Sequence, residues 1–193
     1  MILSNVEIVR CIDEGLFSIE PIDGMDPTKR PFNTSAVDLR LGNEITVPEK
    51  GAPAQLDLSH QGNIAKYWAA HSKNFTITKE QPYSLEHGQF ILAKTLENVS
   101  FPLRQNGTCF SARVEGKSSL ARCGILVHFT APTIHAGFFG TITLEIINLG
   151  TQNFLLTPDM PICQLIIEEV KGSPLDAPNQ FKGQTNPVGV VSK

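Results

Sequence analysis

Short runs of alternating apolar and polar residues, broken every few positions by glycine, proline or asparagine, dominate this chain. Ser35-Ala-Val-Asp-Leu-Arg-Leu-Gly42 is the first. Further strand signals recur near 44–47, 54–58, 74–78, 90–96, 108–114, 125–130, 141–148, 153–157 and 162–169. Alternation at period two places successive side chains on opposite faces of a sheet. The short spacing between runs leaves little room for crossover helices, so the pattern predicts a mainly β fold, a sandwich or barrel, rather than βαβ units. Two short helices accompany it. Ser4-Asn-Val-Glu7 has the form of a capping box, followed by an apolar stripe of Val6, Val9 and Ile12 and a stop at Gly15. Gln61 to Ser72 forms the second. Residues 21–35 carry four Pro or Gly and read as a loop. After Val170 the chain turns rich in Gly, Pro, Asn and Gln, which predicts a mobile tail over 171–193.

At 193 residues the chain is long enough for one sizeable core, and a single domain over 1–193 is the simplest division. A net charge of −3 and a pI near 5.9 argue against a nucleic-acid coat. No apolar run approaches the roughly 18 residues of a membrane span, and Met1-Ile-Leu-Ser is soon followed by the charged Glu7 and Arg10, without a signal peptide. Cys11, Cys109, Cys123 and Cys163 are widely spaced, without a C-x-x-C, and read as free thiols in a reducing cytoplasm. Zinc deaminases need an H-x-E and a later P-C-x-x-C. Neither is present, so any deamination here must activate water without zinc.

The densest chemistry lies between Arg113 and Gly150. Gly116 allows a tight turn, after which Ser118 or Ser119 caps a short helical turn, Ser-Leu-Ala-Arg. Lys117 and Arg122 add charge beside a turn that favours an anion. A capped turn with solvated basic residues fits the same pattern. The segment is not a Walker loop: Ser111 stands where the first glycine belongs, and Cys123-Gly124 interrupts the helix that should follow. In Thr141-Ile-Thr-Leu-Glu-Ile-Ile-Asn148, Ile142, Leu144 and Ile146 share one strand face, and Thr143, Glu145 and Ile147 share the other. Glu145 in that mostly apolar setting suits proton transfer. A glutamate on a solvated strand face is an equal reading. His128 reads as a hydrogen-bonded structural histidine. Tyr67 and Trp68 read as packing or contact residues, and His60, His71 and His87 show no metal-ligand spacing.

The motifs Gly116-Lys-Ser-Ser-Leu-Ala-Arg122, His128-Phe-Thr-Ala131, Gly137-Phe138 and Thr143-Leu-Glu145 together resemble the trimeric deoxycytidine triphosphate deaminase and deoxyuridine triphosphatase superfamily. Ala36-Val-Asp-Leu-Arg-Leu-Gly42 is similar to its early strand motif, Pro158 to Ile167 to its late one, and Gln180-Phe-Lys-Gly-Gln184 to its C-terminal lid. The resemblance implies a distorted β-barrel with a few short helices and a homotrimer that shares its active sites between subunits. It also implies magnesium carried on the nucleotide phosphates. By the same resemblance Glu145 moves protons between water and the cytosine ring, and Ser118 and Arg122 hold the water and the glutamate. Lys117, Ser118 and Ser119 meet the phosphates. The backbone of Thr130 and Ala131 reads the base edge, and Phe138 stacks on the deoxyribose near His135. Gln164 in the late motif and Lys182 and Gln184 in the lid complete the substrate contacts.

Departures from the family pattern narrow the chemistry. Deoxyuridine triphosphatases use an aspartate in a pattern like I-D-x-G-[YF]-x-G. Here it reads Ile134-His-Ala-Gly-Phe-Phe-Gly140, with His135 in the acid's place. A neutral imidazole is a weaker base than a carboxylate at neutral pH. Pro132-Thr133 replace a frequent His-Arg pair, and Gln180-Phe181 a frequent Lys-Tyr pair. The leading expectation is therefore zinc-independent deamination of dCTP to dUTP, without nucleic-acid or membrane partners. A dUTP pyrophosphatase, a bifunctional enzyme and a non-catalytic nucleotide-sensing trimer are the alternatives. A Ser118–His128–Glu145 hydrolase triad lacks the supporting G-x-S-x-G elbow.

Overall fold

The computed structural model of the chain describes residues 1–51, 61–178 and 181–188, with side chains from residue 66 onward in the second segment. Its elements, in chain order, are α1 (Asn5–Asp13), β1 (Ser18–Glu20), β2 (Phe32–Asn33), β3 (Ala36–Pro48), α2 (Gln61–Ala70), β4 (Ser72–Thr76), β5 (Tyr83–Leu85), β6 (Phe90–Ser100), β7 (Cys109–Gly116), α3 (Ser118–Ala121), β8 (Ile125–Leu126), β9 (Thr133–Ile134), β10 (Phe139–Asn148), β11 (Phe154–Leu156) and β12 (Pro161–Val170). The strand expected at 54–58 lies outside the described residues.

β3 organises the fold. The two runs expected at 35–42 and 44–47 are one strand of 13 residues. Its first half pairs with β12, with Val37 opposite Leu165, and its second half pairs with β6 and β4, with Ile45 opposite Ala93 and Phe75. Register shifts between Leu41 and Ile45 and between Pro161 and Cys163 mark where the strand passes from one partner set to the other. Such irregularities bend a strand and raise its twist. The result is a curled half-barrel sheet in the order β8-β10-β6-β3-β12-β7-β9, with a separate β5–β11 pair. Every pairing between these strands is antiparallel. Val37, Leu39, Leu41, Ile91, Leu144, Ile146, Leu165 and Ile167 are completely buried in its core.

The helices follow the sequence with one change of face. Ser4 caps α1 by accepting from Glu7 N at 3.3 Å, but the Glu7 carboxylate turns to Arg10 instead of closing the box. Ile8 and Cys11 are the buried positions, with Val9 and Ile12 packed beside them, while Val6 is 60% exposed. Val6 sits about 200° around the helix from Ile8 at 3.6 residues per turn. The inward stripe is therefore centred on 8, 11 and 12 rather than on 6, 9 and 12. All four cysteines are free. Three are buried and Cys123 is exposed.

The run expected as a strand over 125–130 is a strand only at Ile125–Leu126. Part of the expected tail is also anchored. Gly183 N donates to Phe139 O at 2.7 Å, Thr141 N donates to Gln184 O at 3.1 Å, and Lys94 Nζ donates to Thr185 O at 2.8 Å.

Candidate active site

Glu145 stands in the middle of β10, whose alternate residues Ile142, Leu144 and Ile146 fill the core. On one side β10 pairs with β6, with Glu145 opposite Leu92. On the other it pairs with β8 only at Ile147–Leu126 and Asn148–Ile125. Carrying that antiparallel register two residues further sets His128 opposite Glu145, although the ladder has ended. Their side chains meet there, with His128 Nδ1 2.5 Å from Glu145 Oε2. The imidazole is 7% exposed and the carboxylate 30%.

The contact is an ion pair rather than an aligned hydrogen bond. Neither ring nitrogen nor Glu145 Oε2 has a hydrogen-bond partner of good geometry. Buried polar atoms in that condition cost stability and are few in native structures. Burial works against a charged His128 ring. The nearby Glu145 carboxylate, the Ala131 backbone and the charge of Glu115 outweigh it and hold the imidazole above its ordinary value. His128, expected as a hydrogen-bonded structural histidine, instead faces the candidate catalytic carboxylate as an ion pair.

The basic turn reaches this strand through a backbone crossing. Lys117, without a side-chain cap, occupies the N-cap position of α3, so Ser118 and Ser119 begin the turn instead of capping it. Both serines and Arg122 are exposed, and their side chains make no hydrogen bond or ion pair among the described residues. Gly116 has no left-handed backbone, and a Cβ there would meet Val127 at an ordinary 3.6 Å. The glycine the geometry demands is Gly124. Its φ is +86°, and a Cβ would lie 2.6 Å from the Gly150 Cα. Leu149 N donates to Gly124 O at 2.8 Å across this crossing. The residue after Arg122-Cys123 is thereby fastened to the end of the strand that carries Glu145.

The other candidates fall in three places. Thr130, Ala131 and His135 are exposed beside the pair and at the turn into β10. Phe138, expected against a sugar, is 5% exposed and packs in the core, because Phe101 N and Gly137 N bond across this turn and fold it inward. The outward ring is Phe139, at 49% exposure. Gln184 is buried at 5%, and its Nε2 donates to Thr141 O at 2.8 Å, so within one chain it holds the tail to β10. Lys182 makes a surface pair with Asp176 at 3.8 Å, and Gln164 is half-buried on β12. Gln180 lies outside the described residues. Lys117 Nζ donates to Asp38 Oδ1 at 2.6 Å, a partner the sequence does not announce. An aromatic ladder also went unanticipated: Phe129 stacks on Phe90 at 5.8 Å, and Trp68 of α2 tilts against Phe90 at 5.9 Å. Among the described residues no group of three or more His, Cys, Asp or Glu is placed to hold a metal ion.

A mainly β chain whose curled half-barrel sheet carries three short helices has a dUTPase-like fold. The crystal structure of 2'-deoxycytidine 5'-triphosphate deaminase from Agrobacterium tumefaciens superposes with a TM-score of 0.61 at 18% identity, over 87% of this chain. This chain spans about half (47%) of that longer one. The family model described as dCTP deaminase-like matches residues 2–170, and the chain belongs to that family. Among its relatives, "dCTP deaminase, dUMP-forming" from Methanothermobacter thermautotrophicus is 37% identical over 96% of this chain and 91% of its own length. The dCTP deaminase of Natronomonas pharaonis is 35% identical over 97% and 92%.

Proposed function

We propose that this protein is a hydrolytic deaminase that converts dCTP to dUTP and ammonia. The observation that carries the reading is the Glu145–His128 pair on β10, in a chain of the dCTP deaminase-like family. Glu145, 30% exposed, is reachable from outside while its imidazole partner is held inside. In the proposed reaction Glu145 accepts a proton from water as the water oxygen bonds to the ring carbon bearing the amine. It then delivers that proton to the adjacent ring nitrogen. Glu145 then takes the remaining proton of the added hydroxyl and passes it to the amine, the carbon–nitrogen bond breaks as the ring carbonyl forms, and ammonia leaves. His128 orients the carboxylate and balances its charge. Ser118, Ser119 and Arg122, exposed and without side-chain partners among the described residues, are free to meet a nucleotide, which in this reading binds between the copies of a homotrimer.

Magnesium bound to the phosphates would neutralise their charge. In this reading Glu145 activates the water without zinc. Among the described residues no helix is long and apolar enough to cross a membrane. Action in the cytoplasm on a free nucleotide fits the free thiols.

A second reading, with dUMP as product, draws on the relative from Methanothermobacter thermautotrophicus. His135 favours dUTP, since it stands where phosphate hydrolysis would call for a carboxylate. The test of the mechanism is Glu145→Gln, which keeps the shape but cannot accept a proton. It should lower ammonia release from dCTP by about 10²–10⁴-fold and still bind dCTP. Near-normal release by this variant would refute the role.

A further inference from the structure

The residue that opens the α3 turn is tied to a carboxylate 79 positions earlier in the chain. Lys117 Nζ donates to Asp38 Oδ1 at 2.6 Å, with 14% of the lysine side chain and 3% of the aspartate exposed. Asp38 stands on β3 between the fully buried Val37 and Leu39. It also accepts from Asn33 Nδ2 at 2.9 Å and pairs with the Arg30 guanidinium. Partners of this kind offset the cost of taking a carboxylate so far from water. The main chain of Lys117 supplies the other half of the anchor. Its carbonyl accepts from Leu120 N at 3.0 Å and Ala121 N at 2.9 Å, the bonds that form the turn. Ser118 and Ser119 follow directly, exposed.

We propose that Asp38 is a positioning residue for the phosphate end of the substrate: it fixes Lys117, and through it holds the Ser118 and Ser119 hydroxyls where phosphate oxygens bind. This rests on the deaminase reading given above. Lys117 then works as a tether, its ammonium already engaged inside the protein, and not as a loose phosphate cation. Asp38 touches no reacting atom. A tether serving the phosphates changes KM in step with the number of phosphates. A role in folding alone lowers the amount of active enzyme and leaves KM where it was.

The test compares Asp38→Asn, Lys117→Met, Lys117→Gln and the Asp38→Asn/Lys117→Met double variant. Ammonia release is measured from dCTP and dCMP, and inorganic tripolyphosphate is used both as an inhibitor and as a calorimetric ligand. Asp38→Asn should raise KM for dCTP by about ten- to a hundredfold with kcat within about threefold. It should weaken tripolyphosphate binding by a similar factor and disturb dCMP less. The double variant should be no worse than the poorer single one, because both changes remove the same contact. Lys117→Gln keeps an N–H donor for Asp38 without the charge, so it should recover most of the KM lost in Lys117→Met. It carries the test even where Asp38→Asn fails to fold. Unchanged KM and tripolyphosphate affinity in Asp38→Asn, losses that multiply in the double variant, or a Gln variant as poor as the Met one would each overturn the proposal. Absence of ammonia release by the wild type would instead refute the deaminase reading, and tripolyphosphate calorimetry would still report on the tether.

Discussion

Replacing Gly124 with alanine probes the joint between the basic turn and the strand that carries Glu145. Two costs arise. The backbone at φ +86° disfavours a side chain, by about 1–2 kcal/mol. The new Cβ would lie 2.6 Å from the Gly150 Cα and 3.0 Å from the Leu149 carbonyl carbon. Neither neighbour is a side chain that can swing away, so the two backbones must part by roughly half an ångström, an overpacking cost of about 1–3 kcal/mol. The sum, roughly 2–5 kcal/mol, is below the ~5–15 kcal/mol stability of an ordinary domain, so the variant should fold. Its Tm should fall by roughly 4–20 °C. The parting also moves Arg122 relative to Glu145, and misplacement by about 1 Å costs catalysis on the order of 10²-fold, so half that shift should cost about tenfold in kcat. Gly172→Ala is the control, with φ +91° and nothing within 4 Å of a Cβ. It should carry the backbone cost and keep full activity. Scanning calorimetry and ammonia release at a temperature where both variants are folded decide the matter. A Gly124→Ala protein that matches Gly172→Ala in both Tm and kcat would refute the reasoning.

The His128–Glu145 pair makes stability depend on pH. A histidine whose folded pKa is raised contributes stabilisation that is fully present below its unfolded value, near 6.5, and is lost as pH rises through the folded value above it. The stability lead of the wild type over His128→Asn should therefore shrink as pH rises above 6.5, and a lead that stays constant from pH 6 to 9 in urea titrations would contradict the pairing. Gln184→Ala removes the Nε2 bond to Thr141 O, so exchange of the Thr141 amide should quicken; unchanged protection would show that the tail is held by other contacts. Activity should survive a zinc-selective chelator, fall with EDTA and return with magnesium. Recovery only with zinc would overturn the metal assignment.

The sequence announced what local pattern can announce. Alternation over 141–148 placed Ile142, Leu144 and Ile146 inside and Glu145 on the opposite face, as found. The Ser4 cap is also in place. Longer-range features were hidden for physical reasons. Register decides that His128 faces Glu145, and period-two patterning does not reveal which residue of one strand meets which of another. Lys117 reads as a surface cation because Asp38 is distant in the chain and buried by contacts no local pattern records. The sequence assigns the tight turn to Gly116 and reads Gly124 only as part of a helix interruption. The demand for glycine arises where two backbones cross, and position 150 supplies the second one. Phe138 and Phe139 are adjacent aromatics, and only the turn geometry decides which one turns inward.

The most direct measurement is a product analysis. The wild-type protein is incubated with dCTP and magnesium, and separately with dUTP and magnesium, and ammonia, pyrophosphate, dUTP and dUMP are separated and counted. The account predicts one ammonia per dUTP formed from dCTP, with little or no pyrophosphate from either nucleotide. Pyrophosphate and dUMP in step with ammonia would contradict the product assigned to a chain with His135, and no ammonia from dCTP would contradict the deaminase itself.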